Sequence, residues 1–174
     1  MRVNPHIASL HIYKREVKRF FMIRIDIPQR GAIELQHAVF DVNGTLAVDG
    51  IPIPGVVDRL HMLAEKLSLY ALTAGTHGNI PELERAFGFP LHKIVTGEEK
   101  LRFVEQLGPA GVIAFGNGRN DVAMLRVAAI GVAILAGEGL AIEALQAADV
   151  LAHGPVDAID LVLKPKRLIA TLRG

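Results

Sequence analysis

Ala38-Val39-Phe40-Asp41-Val42-Asn43-Gly44-Thr45-Leu46 is a short apolar run that ends on an acid and a glycine turn. A run of this kind, bounded by turn residues, predicts a buried strand finishing at Asp41. An aspartate at a strand end, followed by a glycine turn, exposes its carboxylate beside backbone N–H groups, that of Gly44 included. A carboxylate so placed can attack phosphorus and form an aspartyl phosphate. An ordinary Asx turn accounts for the same letters, because Asp, Asn and Gly are the usual turn residues.

On the N-terminal side, Ile23, Ile25 and Ile27 alternate with polar residues, and Pro28-Gln29-Arg30-Gly31 makes a turn. Ala32 to Leu35 then returns, which predicts an antiparallel hairpin on the sheet edge. On the C-terminal side strands and helices alternate. Helices are expected over residues 54–67, 81–87, 98–107, 121–129 and 140–147, and strands over 69–72, 93–95, 112–115, 131–135 and 149–151. The remainder reads as helix divided by Pro165. Val48-Asp49-Gly50-Ile51 reads as a small flap hairpin. Repeated β–α alternation predicts an α/β fold with a doubly wound parallel sheet. Ligands of such sheets sit beyond the carboxyl ends of the strands.

The residues just past each strand therefore carry the chemistry. Thr73 and Ala74 follow one strand, where a hydroxyl and backbone N–H groups suit a phosphate oxygen; helix capping is the competing reading. Lys100, near a helix start, can neutralise a phosphoryl group and a carboxylate together, or simply face solvent. Gly116-Asn117-Gly118-Arg119-Asn120-Asp121 follows another strand. Its glycines admit close backbone approach, and its Asn and Asp oxygens suit magnesium; a capped turn is compatible with that. Together these parts make one phosphoryl-transfer site: nucleophile, hydroxyl, cation and oxygen ligands.

Composition limits the alternatives. A chain of 174 residues predicts one domain with a sizeable core. A net charge of +1 points to neither nucleic acid nor membrane as a partner. The absence of cysteine removes disulfides and thiolate chemistry, and fits a reducing, cytoplasmic compartment. No apolar run is long enough to span a bilayer. Residues 1–21 carry scattered basic side chains and precede the strand-like run that Met22 opens. They are expected to be a peripheral extension, with a basic arm for an acidic partner as the alternative, and residues 22–174 the single domain. His77 is expected on a surface loop.

The chain resembles the haloacid dehalogenase (HAD) superfamily of aspartate-nucleophile phosphatases. Asp41-Val42-Asn43-Gly44-Thr45 is similar to its first motif, Thr73 to its second, Lys100 to its third and Gly116 to Asp121 to its fourth. The last is most similar to the phosphorylation domains of P-type ATPases and their soluble relatives. The resemblance implies a HAD-like Rossmannoid fold, catalysis by Asp41, Asn43, Thr73 and Lys100, and a magnesium site of Asp41, the Asn43 carbonyl, Asn117 and Asp121, the last through a water. It implies that Asn120 contacts phosphate and that the partner is a phosphorylated small molecule. Two positions depart from the family. Asn43 stands where a general acid is usual, and an amide cannot protonate a leaving group. Asn117 stands where a metal-binding Asp is usual. The spacings leave no room for a cap domain, and capless relatives often form homo-oligomers. The two departures also admit a catalytically weak phosphate- or metabolite-binding module or assembly protein on the same fold.

Overall fold

The computed structural model describes residues 21–75 and 79–174. The readings of the N-terminal extension, Phe21 aside, and of His77 fall outside that set. The elements are β1 (Ile23–Ile27), β2 (Gly31–Leu35), β3 (His37–Asp41), β4 (Ala47–Val48), β5 (Ile51–Pro52), α1 (Val56–Ala64), β6 (Ser68–Thr73), α2 (Ile80–Phe87), β7 (Leu91–Lys93), α3 (Gly97–Leu107), β8 (Val112–Gly116), α4 (Val122–Val127), β9 (Ile130–Ile134), α5 (Ile142–Ala147), β10 (Val150–Ala152), α6 (Pro155–Leu163) and α7 (Pro165–Leu172).

Six strands form one parallel sheet in the order β10-β9-β8-β3-β6-β7. The chain runs outward from β3 through β6 to β7, crosses back to β8, and runs outward the other way. The order therefore reverses between β3 and β8, where an open α/β sheet leaves a crevice at its carboxyl ends. Both faces are covered. Side chains alternate along a strand, so Ala38 and Phe40 enter one core, shared with α1, α2, α6 and α7. Val39 enters the other, shared with α3, α4 and α5. Every residue of β8 and β9 is buried, which is why these strands read as unbroken apolar runs. Phe40 stacks on Phe115 with ring centroids 4.5 Å apart, and truncating either ring to Ala should cost about 3–5 kcal/mol.

Three expectations need correction. The hairpin β1–β2 forms, with Ile25 opposite Ile33, but it is a separate two-stranded sheet and not an edge of the main one. Only Gln36 separates β2 from β3, and both neighbours of β3 are already β6 and β8, so the hairpin has no edge within reach. It buries Ile25, Ile27 and Leu35 in the core shared with α1 and α6 instead. The strand expected over 93–95 lies at Leu91–Lys93, with Lys93 paired to Thr73 and Val95 exposed. The helix expected over 121–129 starts as a 3₁₀ turn, Arg119–Asp121, and its α-helical part ends at Val127.

The flap is present as β4 paired with β5. Its turn residues Asp49 and Gly50 have φ of 50° and 75°, the two left-handed positions that make Asp-Gly a favoured hairpin turn. Among the described residues no further domain is inserted between β3 and β8. No helix among them is long and apolar enough to cross a membrane.

Candidate active site

Strand register assembles the site. Asp41 pairs with Leu72, so Thr73 stands one residue further along at the same carboxyl end. Phe40 pairs with Phe115, which brings Gly116 level with Asp41 and Asn117 just beyond it. Asp41, Thr73 and Asn117 thus issue from three adjacent strands, and all three are buried.

Lys100 arrives from α3. A capping box fixes that helix start: Thr96 Oγ1 accepts from the Glu99 N–H at 3.2 Å, and the Glu99 carboxylate accepts from the Thr96 N–H at 2.9 Å. Lys100 is the next residue, and its side chain has no solvent exposure. Its Nζ donates to Asp41 Oδ1 at 2.5 Å and to Asp121 Oδ1 at 2.7 Å. The other oxygen of Asp121 accepts from the backbone N–H groups of Asn117 at 3.0 Å and Gly118 at 2.8 Å. Asp121 thus clamps the Gly116–Gly118 backbone on one side and the ammonium on the other. A Cβ on Gly116 would come within 2.6 Å of the Asp121 carboxyl, so this approach needs glycine.

Two carboxylates share one ammonium, and the group carries a net negative charge when all three are ionised. Burial pushes the Asp41 carboxyl up, and the Asp121 charge pushes it further. Lys100 pulls it back, and the outcome is a pKa of about 7. Burial alone would lower Lys100, but the two carboxylates outweigh it and hold the ammonium above its usual value. A carboxylate held near neutrality in a crevice is a common signature of a reacting group.

The remaining expected residues are distributed as follows. The Thr73 hydroxyl accepts from the Gly75 N–H at 3.1 Å, which leaves its proton to donate. Ala74 follows at the same strand end, half-buried. Asn43 is half-buried and bridges to Ala47 at the flap base. The Gly44 amide does not face the crevice as an open donor. It donates to the Ala47 carbonyl at 2.7 Å, because the turn closes on itself. Asn120 is half-buried, and its carbonyl would lie 2.9 Å from a Cβ on Gly97, so the 3₁₀ turn packs on the start of α3. Asn117 reaches sideways: its Oδ1 accepts from the Thr45 hydroxyl at 3.2 Å and its Nδ2 donates to the Gly139 carbonyl at 3.0 Å. Sequence reasoning missed Thr45 and Gly139 as supports of Asn117. The signal for Thr45 was its place two residues after Asn43 in an otherwise apolar segment; Gly139 carried none. Among the described residues no group of three or more His, Asp or Glu side chains is arranged to hold a metal ion.

A family model of haloacid dehalogenase-like hydrolases matches residues 96–152, the part that holds Lys100 and Asn117 to Asp121. An uncharacterized protein of Methanocaldococcus jannaschii is 35% identical over 78 residues, which are 42% of this chain and 84% of that protein. Residues 96–152 are thus those of a haloacid dehalogenase-like hydrolase. Solved structures of this superfamily share the fold. The 3-deoxy-D-manno-octulosonate 8-phosphate phosphatase of Moraxella catarrhalis, in complex with magnesium, phosphate and KDO, matches with a TM-score of 0.58 at 14% identity, over 80% of this chain and 94% of that one. The catalytic domain of the CPx-ATPase CopB-B matches with a TM-score of 0.50 at 25% identity, over 71% of this chain and 46% of that one. The likeness to a transport-ATPase domain agrees with the Gly-x-Gly-x-Asn-Asp reading of residues 116–121.

Proposed function

We propose that this HAD hydrolase is a magnesium-dependent phosphohydrolase or phosphotransferase that works through an aspartyl phosphate on Asp41. The observation that supports it is the buried Lys100 ammonium, held between Asp41 and Asp121 where the sheet order reverses. The Asp41 oxygen not held by Lys100 attacks phosphorus, a P–O bond forms, and the bond to the leaving group breaks. The leaving group departs with the electron pair of that bond. Water, or another acceptor, then attacks phosphorus and returns the carboxylate. Lys100 balances charge on both carboxylate and phosphoryl oxygens, and the Thr73 hydroxyl donates to one of the latter.

The donors at the crevice are hard oxygens, which fit magnesium with few protein ligands and several waters. Asp41, the Asn43 carbonyl and the Asn117 amide oxygen, which keeps a second lone pair, would hold it. Asp121, with both oxygens engaged, would act through a water. Magnesium, when bound, supplies the positive charge that the two carboxylates and one lysine leave short. Asn43 has no proton to give a leaving group, so acyl and aryl phosphates should react in preference to alkyl monoesters. A general acid is worth typically about 10²–10⁴-fold.

Turnover of p-nitrophenyl phosphate or acetyl phosphate with magnesium, abolished in Asp41→Asn, is the expected result; turnover that survives the substitution removes Asp41 as nucleophile. Asn43→Asp should raise alkyl-monoester hydrolysis, and no rise would refute the role given to Asn43. One observation favours a second reading, a phosphate-binding module with weak chemistry: the Asn117 amide is already bridged to Thr45 and Gly139. Phosphate binding without turnover of either substrate would favour it. Residues 22–174 are proposed to suffice as a single domain in the cytoplasm, so deleting residues 1–21 should leave turnover unchanged.

A further inference from the structure

We propose that an apolar cleft behind the flap receives the leaving group of the substrate, and that this group is an aryl or hydrocarbon acyl moiety whose only charge is on the oxygen that leaves phosphorus. The inference rests on the reaction assigned above to Asp41. The cleft has a volume of about 450 Å³, within the range of small-molecule sites. Val48, Ile51 and Ile53 form one wall, from the flap and its exit. Leu135, beyond β9, and Pro155, at the start of α6, form the other, with His153 at the side. The other lining residues are proline, alanine and glycine, and no Lys, Arg, Asp or Glu is among the described residues that line it.

One chain segment links the wall of the cleft to the reaction centre. Leu135, Ala136 and Gly137 line it, and two residues later the Gly139 carbonyl accepts from the Asn117 amide at 3.0 Å. A Cβ on Gly137 would come within 3.2 Å of Val48, so this segment and the flap touch. The Asp49 N–H donates to the Glu138 carboxylate at 3.0 Å and ties them again. The flap base is the Asn43 to Ala47 turn that follows the nucleophile directly. A leaving group released when the phosphoryl group passes to Asp41 therefore has this cleft next to the flap base, on the β9 and β10 side of the sheet.

The lining selects the class of group. Ile51 is 69% exposed and Leu135 41% exposed, apolar surface that an apolar ligand would remove from water. Glu138, at the rim, adds a negative charge. A nucleoside triphosphate would bring its remaining phosphates, and a sugar acid its carboxylate, to a wall with no cation. Asn43 alone leaves acyl phosphates, aryl phosphates and nucleoside triphosphates open as substrates. The cleft retains the first two and disfavours the third.

Two measurements on the full chain with magnesium test this. The first is the ratio of kcat/KM for 1-naphthyl phosphate to that for acetyl phosphate. It should fall about tenfold in Leu135→Asn and in Ile51→Asn, as expected when an apolar pocket loses its fit; an unchanged ratio in both overturns the proposal. The second is binding of 1-naphthol, followed by its fluorescence, to Asp41→Asn. It should persist there and weaken when Leu135→Asn is added. Binding that ignores Leu135 overturns the cleft, whereas binding with no turnover of acetyl phosphate by the wild type faults the reaction and keeps the cleft. Loss of naphthol binding as protein concentration rises, with self-association in sedimentation, would give the cleft to a second copy and overturn the proposal.

Discussion

Asp41 and Asp160 are carboxylates of nearly equal exposure, 7% and 8%, and each is held by a lysine. Their charge environments are opposite. Asp160, on α6, has Lys164 at 2.6 Å, Arg59 at 3.7 Å and Arg167 at 3.8 Å, so three cations surround one anion and tie α6 to α1 and α7. Its carboxyl is held below the usual value, chiefly by the hydrogen bond from Lys164. Asp41 shares its single cation with Asp121, and its carboxyl is pushed up to about 7. Equal exposure thus accompanies opposite charge behaviour: burial first, and then the Asp121 charge, raises the Asp41 carboxyl, whereas the hydrogen bond from Lys164 lowers that of Asp160. The group at α6 is relieved and serves the fold. The group at the sheet crevice is left one positive charge short, which is the state a phosphoryl group with its metal would complete.

The largest expected effect breaks that contrast at its centre. Lys100→Met leaves two buried carboxylates without a cation, and should cost about 3–5 kcal/mol in urea unfolding while abolishing turnover. Lys164→Met removes one of three cations whose side chain is half exposed, and should cost no more than about 1 kcal/mol. Similar losses in the two variants would show that the buried trio is not the strained member of the pair.

The pH dependence of stability sharpens the comparison. In the metal-free protein, native Asp41 keeps its proton to about 7, whereas an unfolded aspartate releases it near 3.8. Between those values the native state binds more protons than the unfolded state, so Asp41 makes stability fall as pH rises. Asp160 is lowered instead; its contribution is present above the unfolded value and lost as pH falls through the folded one. Asp41→Asn should therefore gain stability relative to wild type from pH 4 to 7 and then level off, read by denaturant titration at several pH values. Magnesium binding to wild type should weaken as pH falls below about 7, because the metal needs the ionised carboxylate. A relative stability of Asp41→Asn that stays flat with pH would refute the raised carboxyl.

The smallest expected effect concerns the supports. Thr45→Val removes the hydroxyl that donates to Asn117, and should cost about 1 kcal/mol in the same unfolding assay. No loss at all would mean that Thr45 does not hold Asn117.

Much of this was legible in the sequence, for physical reasons that can be named. Strands buried on both faces read as short apolar runs, so the run ending at Asp41 and that ending at Phe115 are legible in the sequence alone. The parallel sheet then required the residues after those runs to meet at one edge. What could not be read depended on side-chain direction and on contacts remote in sequence. Nothing in the letters says that Lys100 bonds two carboxylates at once, or that Asn117 turns toward Thr45 and Gly139. The hairpin of residues 23–35 was recognised as a hairpin but placed wrongly, because strand alternation reports pairing and not which neighbour is free. The exposed Val95 drew a strand two residues past its true position, since an apolar letter does not reveal which side it faces. The cleft behind the flap joins three segments far apart in the chain and left no local signal.

The central claim is that Asp41 carries the phosphoryl group. It is tested most directly by quenching the protein in acid during turnover of acetyl phosphate with magnesium, then mapping the modified peptide by mass spectrometry. The predicted result is one phosphoryl group on Asp41, stable in acid and released by hydroxylamine, and absent from Asp41→Asn. A phosphoryl group on another residue, or turnover that continues in Asp41→Asn, would contradict the account.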